Sequence, residues 1–213
     1  MLNRLVKKIL IFTGRKIIQF SPQRSGSTLV FNILKDLFPT RVVLKVHNYN
    51  LDDKNFPTVI TYRHPYDSIA SLFLKDQITP TDEVIEDYIK QFREGGWNDF
   101  FDQIETSKIL FLRYEDFCHD FDFVLNSFED YFNISISENK RVRLKNKYKI
   151  LNVKKNIEKF KDFSEYDEVS LFHGNHISKF SGNPSTYKKL FSKNQIKILD
   201  KYFNNEKKYL NYD

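Results

Sequence analysis

The sequence predicts an α/β fold with a central, mostly parallel sheet flanked by helices and a helical C-terminal part. Short apolar runs alternate with helical patterns through the first half of the chain, an order that is typical of a layered fold with a parallel sheet. A length of 213 residues suits one domain. The hydrophobic fraction of 40%, with 21 Phe and 12 Tyr, supplies a core. We therefore expect a single domain over residues 1–213.

Four buried strands are predicted in the first half, because each run is apolar and rich in β-branched residues. In chain order they are residues 17–20, 41–46, 58–62 and 108–112. Apolar residues at helical spacing predict the helices that accompany them. These helices cover residues 29–37, 66–75 and 82 to about 101. Ligands of such folds bind beyond the carboxyl ends of the strands, so we expect a site there.

Helical patterns dominate after residue 120. They cover residues 121–132, a basic stretch from 137 to about 163, and residues 192–210. Ser192 and Gln195 open the last helix with the spacing of a capping box. The polar segment 173–186 precedes this helix, and we expect it to be an ordered loop or a lid.

The net charge of +6 favours an anionic partner but does not choose among nucleotides, acidic glycans, nucleic acids and membrane surfaces. Cys118 is the one cysteine, so it cannot form an intramolecular disulfide, and a reducing cytoplasm fits best. Lysines and arginines interrupt the apolar residues near the N-terminus. They predict a short amphipathic helix there, without stable membrane insertion and without a signal peptide.

The segment Ser21-Pro22-Gln23-Arg24-Ser25-Gly26-Ser27-Thr28 lies between a predicted strand and a predicted helix. Small residues allow backbone N–H groups to converge on an anion, and the helix N-terminus adds its positive end. A phosphate-binding loop is therefore predicted, with an ordinary Ser/Thr-capped turn as the alternative. The common nucleotide-binding loop has Lys after its last glycine, whereas Ser27 follows Gly26 here and the basic residue is Arg24.

This loop resembles the 5′-phosphosulfate loop of the sulfotransferases, which use 3′-phosphoadenosine 5′-phosphosulfate (PAPS) and release 3′-phosphoadenosine 5′-phosphate (PAP). The resemblance implies a P-loop NTPase-like fold. It also implies that Arg24 grips the bridging and sulfuryl oxygens of the donor. The residues it assigns to the 5′ end of the cofactor are Gln23, Arg24, Ser25, Gly26, Ser27 and Thr28. Leu29 departs from the pattern, because cytosolic members have an adenine-stacking Trp there.

A second motif, Arg63-His64-Pro65-Tyr66-Asp67-Ser68-Ile69-Ala70-Ser71, follows the third strand. It resembles the family's 3′-phosphate motif, in which an Arg and a Ser eight residues later hold the ribose 3′-phosphate. The guanidinium of Arg63 suits a phosphate, and the hydroxyl of Ser71 adds a donor. Pro65 suits the first turn of a helix. The alternative is a surface ion pair between Arg63 and Asp67.

Lys45-Val46-His47 ends the second predicted strand, so alternation places Lys45 and His47 on the same side. A cation and a base with a neutral-range pKa then share one face. The segment resembles the Lys-Thr-His motif of cytosolic sulfotransferases, which implies that His47 is the general base and that Lys45 assists the leaving phosphate. Relatives outside that branch use Glu, so a carboxylate base stays open.

Two weaker matches lie nearer the C-terminus. Tyr114 follows the fourth strand in a Tyr-Glu-Asp segment, which the resemblance places near adenine and which core packing explains equally well. Lys179 lies in a segment that resembles the family's loop over the 3′-phosphate, although the usual Arg-Lys-Gly is missing. Its alternative is a solvated lysine.

These matches identify the chain as a member of the sulfotransferase family that transfers a sulfuryl group from PAPS to a hydroxyl of a small molecule or glycan. No metal-ligand spacing occurs, so metal independence is predicted. A P-loop kinase for a small metabolite is the first alternative. A nucleic-acid-binding module is the second, motivated by the basic residues of 140–155, although we expect a solvated helix face and no nucleic-acid partner.

Overall fold

Four parallel strands form the sheet in the described part of the chain. The computed structural model describes residues 16–48, 56–103, 109–177 and 180–212. The strands are β1 (Lys16–Phe20), β2 (Val42–Val46), β3 (Thr58–Tyr62) and β4 (Ile109–Arg113). Their order across the sheet is β2-β1-β3-β4, so β1 and β3 are the central strands. The predicted α/β fold and the four predicted strands are confirmed, although Lys108 lies outside the described residues.

Helices connect and cover these strands. In chain order they are α1 (Ser27–Leu37), α2 (Pro65–Asp76), α3 (Ile85–Phe92), α4 (Asn98–Gln103), α5 (Tyr114–Phe117), α6 (Phe121–Phe132), α7 (Glu138–Tyr148), α8 (Ile150–Ile157), α9 (Tyr187–Leu190) and α10 (Lys193–Tyr209). Among the described residues, no helix is long and apolar enough to cross a membrane. The predicted N-terminal amphipathic helix lies outside the described residues.

The sheet separates two apolar cores, because neighbouring side chains of a strand point to opposite faces. Ile17 packs into the core that α1, α6 and α7 cover. Ile18 and Phe20 pack into the core that α2, α3, α4 and α10 cover. Helices therefore lie on both faces of the sheet. The carboxyl ends of the strands, where a site is expected, are not part of either face.

Two predicted helices are interrupted, so the prediction of one continuous helix was wrong in both cases. The pattern over residues 82–101 breaks at a π-helical turn, Arg93–Trp97, in which Gly96 has φ +104°. The basic stretch from 137 to about 163 breaks at Lys149, whose ψ of 133° is extended, and its helical part ends at Ile157. The predicted capping box of the last helix is confirmed by both Ser192 and Gln195.

Candidate active site

The loop between β1 and α1 is held by its own side chains and by β3. Ser25 Oγ donates to the Pro22 carbonyl at 2.8 Å and lies 3.0 Å from Thr61 Oγ1. Gly26 has φ +81°, and an added Cβ there would lie 2.9 Å from ring atoms of Tyr114 and Phe117. Glycine is therefore required, and the loop backbone is fixed where α1 begins.

A glycine pair that the sequence analysis did not assign supports the same loop. The Gln23 N–H donates to the Gly95 carbonyl at 3.1 Å. An added Cβ at Gly96 would lie 2.2 Å from the His47 carbonyl oxygen and 3.3 Å from that of Ser21. The π-helical turn thus packs between the phosphate loop and the end of β2. The sequence did contain a signal for this turn, namely two adjacent glycines inside a helical pattern. π-Helical turns often mark functional sites.

Lys45 of β2 and His47, which directly follows β2, both contact the phosphate loop. Lys45 Nζ donates to Thr28 Oγ1 at 2.8 Å. His47 Nδ1 lies 2.9 Å from the Ser21 carbonyl oxygen. Because a carbonyl only accepts, the hydrogen-bond network assigns the proton of neutral His47 to Nδ1 and leaves Nε2 as an acceptor. Both side chains therefore contact the same loop, as the predicted placement on one side of the strand requires.

Burial lowers the pKa of both residues. Desolvation and the nearby Arg24 charge lower the pKa of Lys45 to about 8. Desolvation also lowers the pKa of His47, with Lys45 adding to the effect and the Ser21 hydrogen bond opposing it. At neutral pH the site therefore holds a neutral imidazole beside a lysine that still carries most of its charge.

Arg24 belongs to the loop, and its side chain contacts both α2 and the segment before α9. Its Nε donates to Ser71 Oγ at 2.9 Å, and its terminal nitrogen donates to the His176 carbonyl at 3.3 Å. Arg24 adopts φ +63°, which is uncommon outside glycine. Desolvation, followed by the charge of Arg63, lowers the pKa of Arg24 to about 10. Two guanidinium groups are thus close enough to repel each other, an arrangement that an anion would relieve.

Arg63 is buried, with 5% of its surface exposed. One terminal nitrogen donates to the Asn183 carbonyl at 3.1 Å and approaches the Gly182 carbonyl at 3.4 Å. The guanidinium lies 4.4 Å from the centre of the Tyr114 ring, and Tyr114 OH donates to Gly182 O at 2.7 Å. Arg63 Nε is buried without a hydrogen-bond partner among the described residues. Such a donor needs an acceptor, and a bound anion is one.

The two predicted 3′-phosphate residues have different partners. Ser71 contacts Arg24 rather than Arg63. Arg63 lies 3.8 Å from Asp67, so the alternative contact is present, although both side chains are buried rather than on the surface. Arg24 donates to the His176 carbonyl, and Arg63 donates to the carbonyls of Gly182 and Asn183, so both arginines contact the segment 173–186 that was predicted to be a loop or a lid. Lys179 itself lies outside the described residues.

Three aromatic rings from residues 158–177 form a stacked cluster, and one of them, Phe163, lies over Arg24. Phe163 and His173 stack with ring centres 4.1 Å apart, and His176 lies parallel to Phe163 at 5.9 Å. The Arg24 guanidinium is 5.4 Å from the Phe163 centre. Burial lowers the pKa of His176 well below its usual value, with Arg24 and Lys45 contributing. The sequence analysis did not predict this cluster. The close spacing of His173 and His176 is the sequence feature that could have indicated it.

The charge of the site suits an anion. Arg24, Lys45 and Arg63 are its cations, and the adjacent histidines have lowered pKa values. Within residues 16–48, 56–103, 109–177 and 180–212, no group of three or more His, Cys, Asp and Glu side chains could hold a metal ion. The buried Arg63 Nε and the tight glycine turn fit a ligand with phosphate groups.

The basic residues of α7 contact acidic residues of the same chain. Arg141 pairs with Asp122 and Glu129, and Lys145 also pairs with Asp122. Lys147 pairs with Asp36 at 2.7 Å. Three of the eight basic residues that motivated a nucleic-acid-binding module are thus paired within the chain, which favours the structural interpretation of α7.

Comparison with known proteins identifies similar solved structures. No protein-family model and no curated protein matches the chain. The chain is similar to mouse sulfotransferase SULT7A1 complexed with PAP, at 14% identity and a TM-score of 0.69, covering 97% of this chain and 91% of that one. It is also similar to retinol dehydratase in complex with androsterone and inactive cofactor PAP, at 15% identity and a TM-score of 0.65, covering 92% and 81%.

A second structure of retinol dehydratase, in a complex with retinol and PAP, is similar at 16% identity and a TM-score of 0.64, covering 96% of this chain and 86% of that one. A structural similarity at such low sequence identity shows a shared backbone fold and does not show a shared reaction. TM-scores of 0.64–0.69 over 92–97% of this chain show that shared backbone fold. The chain therefore has the sulfotransferase fold.

Proposed function

We propose that this protein is a sulfotransferase that moves a sulfuryl group from PAPS to an acceptor hydroxyl. The observation that carries the proposal is the meeting of Arg24, Lys45 and His47 at one phosphate-type loop. Lys45 contacts Thr28, and His47 contacts Ser21, at opposite ends of that loop. Two cations and a neutral base are the groups that such a transfer requires.

The donor would be held at both of its phosphate ends. We assign its 5′ end to the loop Gln23–Thr28, with Arg24 on the transferring group. We assign its 3′-phosphate to Arg63 and Ser71, with Lys179 as a further cation, and its adenine to the neighbourhood of Tyr114. The unpartnered Nε of Arg63 supports the 3′ assignment, because a phosphate oxygen would supply the missing acceptor.

The chemistry we propose is an in-line displacement. The acceptor oxygen forms a bond to sulfur while the bond from sulfur to the bridging phosphate oxygen breaks, and the hydroxyl proton passes to His47 Nε2. The Ser21 carbonyl keeps the other proton of the ring on Nδ1. Arg24 and Lys45 stabilise negative charge on the transferring group and on the leaving phosphate. We predict that this reaction keeps its full rate in EDTA.

The acceptor we propose first is a small molecule with a hydroxyl group, with a glycan as the alternative. The similar structures of retinol dehydratase contain androsterone and retinol. Phe163, His173 and His176 present ring surfaces near Arg24, which suits an apolar body next to a reactive hydroxyl. We propose a cytoplasmic location, which fits the single free Cys118.

The test uses PAPS labelled in its sulfuryl group, offered with a panel of phenols, sterols, retinoids, sugars and glycans. Label on an acceptor hydroxyl, with release of PAP, is the expected result. The melting temperature, measured with and without each nucleotide, distinguishes the two possible donors, because a ligand that binds only the folded state stabilises it. PAP should raise the melting temperature and ATP should not. Stabilisation by ATP with magnesium, and none by PAP, would point to the kinase instead.

A further inference from the structure

The Asp67 carboxylate joins α2 to the segment of residues 182–187. Asp67 Oδ2 accepts from the Ser185 N–H at 2.6 Å, and Oδ1 accepts from the Tyr187 N–H at 3.0 Å. Only 1% of the Asp67 surface is exposed. A buried carboxylate with both oxygens engaged by backbone N–H groups fixes the position of the chain that supplies them.

The same short segment also contacts Arg63. Its Gly182 and Asn183 carbonyls accept from the Arg63 guanidinium, which lies 3.8 Å from Asp67 Oδ2. Asp67 therefore constrains Arg63 twice, directly by charge and indirectly through the backbone it holds. Ser185 adopts φ +61°, a left-handed conformation that needs support from its surroundings.

We propose that Asp67 is a positioning residue that sets Arg63 and residues 182–187 for the 3′-phosphate of the nucleotide. This inference rests on the proposed function. The negative charge of Asp67 does not oppose an incoming phosphate, because two N–H groups and a guanidinium already compensate it. The Arg63 Nε has no partner among the described residues and stays available for an anion.

The experiment measures the affinities of PAP and of AMP, which lacks the 3′-phosphate, by calorimetry on the wild type and on Asp67→Asn. The amide is nearly isosteric, but it replaces one acceptor oxygen with a donor that faces an N–H group. The ratio of PAP affinity to AMP affinity should fall about tenfold, with AMP affinity nearly unchanged. A purely structural role would weaken both nucleotides alike and leave the ratio intact, which would overturn the inference.

Glu129→Gln is the matched control. Glu129 also accepts a backbone N–H, from Ile136, and also pairs with an arginine, Arg141. Its substitution should lower the melting temperature without changing the nucleotide ratio. If the wild type does not prefer PAP to AMP, the proposed function is contradicted. If the wild type prefers PAP and Asp67→Asn keeps the same preference, only the role of Asp67 is contradicted.

Hydrogen exchange on the wild type tests the inference without a variant, in case Asp67→Asn does not fold. PAP should slow the exchange of the Ser185 and Tyr187 amides more than AMP does, because the 3′-phosphate draws Arg63 and its attached segment together. Equal protection by the two nucleotides would contradict a link between Asp67 and the 3′-phosphate.

Discussion

Desolvation lowers the pKa of both His47 and Lys45, but the two shifts affect proton transfer differently. A lower pKa keeps His47 neutral, which is the form that accepts a proton. A lower pKa brings Lys45 to about 8, closer to losing the charge that a leaving phosphate needs. The proposed reaction therefore depends on one residue being deprotonated and on its neighbour staying protonated.

Replacing His47 with Ala should lower the rate of sulfuryl transfer by roughly 10²–10⁴-fold, because the acceptor proton loses its base. Affinity for PAP should stay within a few-fold of the wild type. Initial rates at saturating PAPS, together with calorimetry, measure the two quantities. His119→Ala is the matched control, since His119 is exposed. Near-normal turnover in His47→Ala would transfer the role of base to another residue, of which a carboxylate is the stated alternative.

The pH dependence of kcat/KM for the donor should be bell-shaped. The rate should rise with pH through the lowered pKa of His47, below the usual 6.5, and fall as pH passes the pKa of Lys45 at about 8. Lys45→Arg keeps its charge at all these pH values. That variant should lose the alkaline limb and retain the acid limb. An unchanged alkaline limb in Lys45→Arg would show that a different group titrates there.

The π-helical turn Arg93–Trp97 connects the packing of a helix to the geometry of the site. Gly95 accepts from the Gln23 N–H, and Gly96 leaves no room for a side chain beside the His47 carbonyl. Trp97 and Phe92, on either side of the pair, are fully buried in the core. The turn is therefore anchored by apolar burial and closes over two backbone segments of the site.

Gly96→Ala tests this role. The added Cβ would lie 2.2 Å from the His47 carbonyl oxygen, at a residue with φ +104°, so the end of β2 must move or the turn must unwind. Turnover should fall by at least tenfold, because small displacements of a base are costly. Glu94→Ala changes an exposed residue of the same turn and should leave turnover unchanged. Equal activity of both variants would mean that the turn does not position His47.

Ser192→Ala tests the start of α10. The Ser192 hydroxyl accepts from the Gln195 N–H at 3.2 Å, and Gln195 Oε1 accepts from the Ser192 N–H at 2.9 Å. Loss of the cap should lower the free energy of unfolding by about 1 kcal/mol. Ser137 begins α7 without a side-chain cap hydrogen bond, so Ser137→Ala should change little. Urea denaturation compares them, and equal losses would contradict the assignment.

Elements with a strong local signal were predictable from the sequence. The strand at residues 58–62 and the helix at 121–132 agree with the structure end to end, because apolar spacing and flanking residues indicate the same bounds. The break at Lys149 was not predictable, since no Gly or Pro marks it. Its neighbours keep a helical composition on both sides.

Some residues of the candidate site were likewise predictable from the sequence, and some of its contacts were not. Arg24, Lys45 and His47 lie in short motifs at strand ends, so local patterns located them. The contact of Arg24 with the His176 carbonyl joins residues 152 positions apart. No local pattern encodes such a contact, and the same holds for the Asp67 link to Ser185 and for the packing of Phe163 over Arg24.

In the described part of the chain, one four-stranded sheet has an apolar core on each face. Ile33 of α1 is fully buried in one core, and Ile69 of α2 is fully buried in the other. Ser21, His47 and Arg63 follow the carboxyl ends of β1, β2 and β3, so their positions depend on a sheet that both cores hold. We therefore predict that the two cores form together, in one cooperative domain.

Ile33→Val and Ile69→Val, singly and together, test that prediction. Each loses one buried methylene and should lower the free energy of unfolding by about 0.5–1.5 kcal/mol. The sheet separates the two sites, so the losses should add to within about 0.5 kcal/mol in the double variant. Urea unfolding followed by circular dichroism and by tryptophan fluorescence should give coincident transitions, because Trp97 reports on one core and circular dichroism on the whole chain. Two separate transitions, with Ile33→Val shifting only one of them, would show that the cores fold independently and would contradict a single domain.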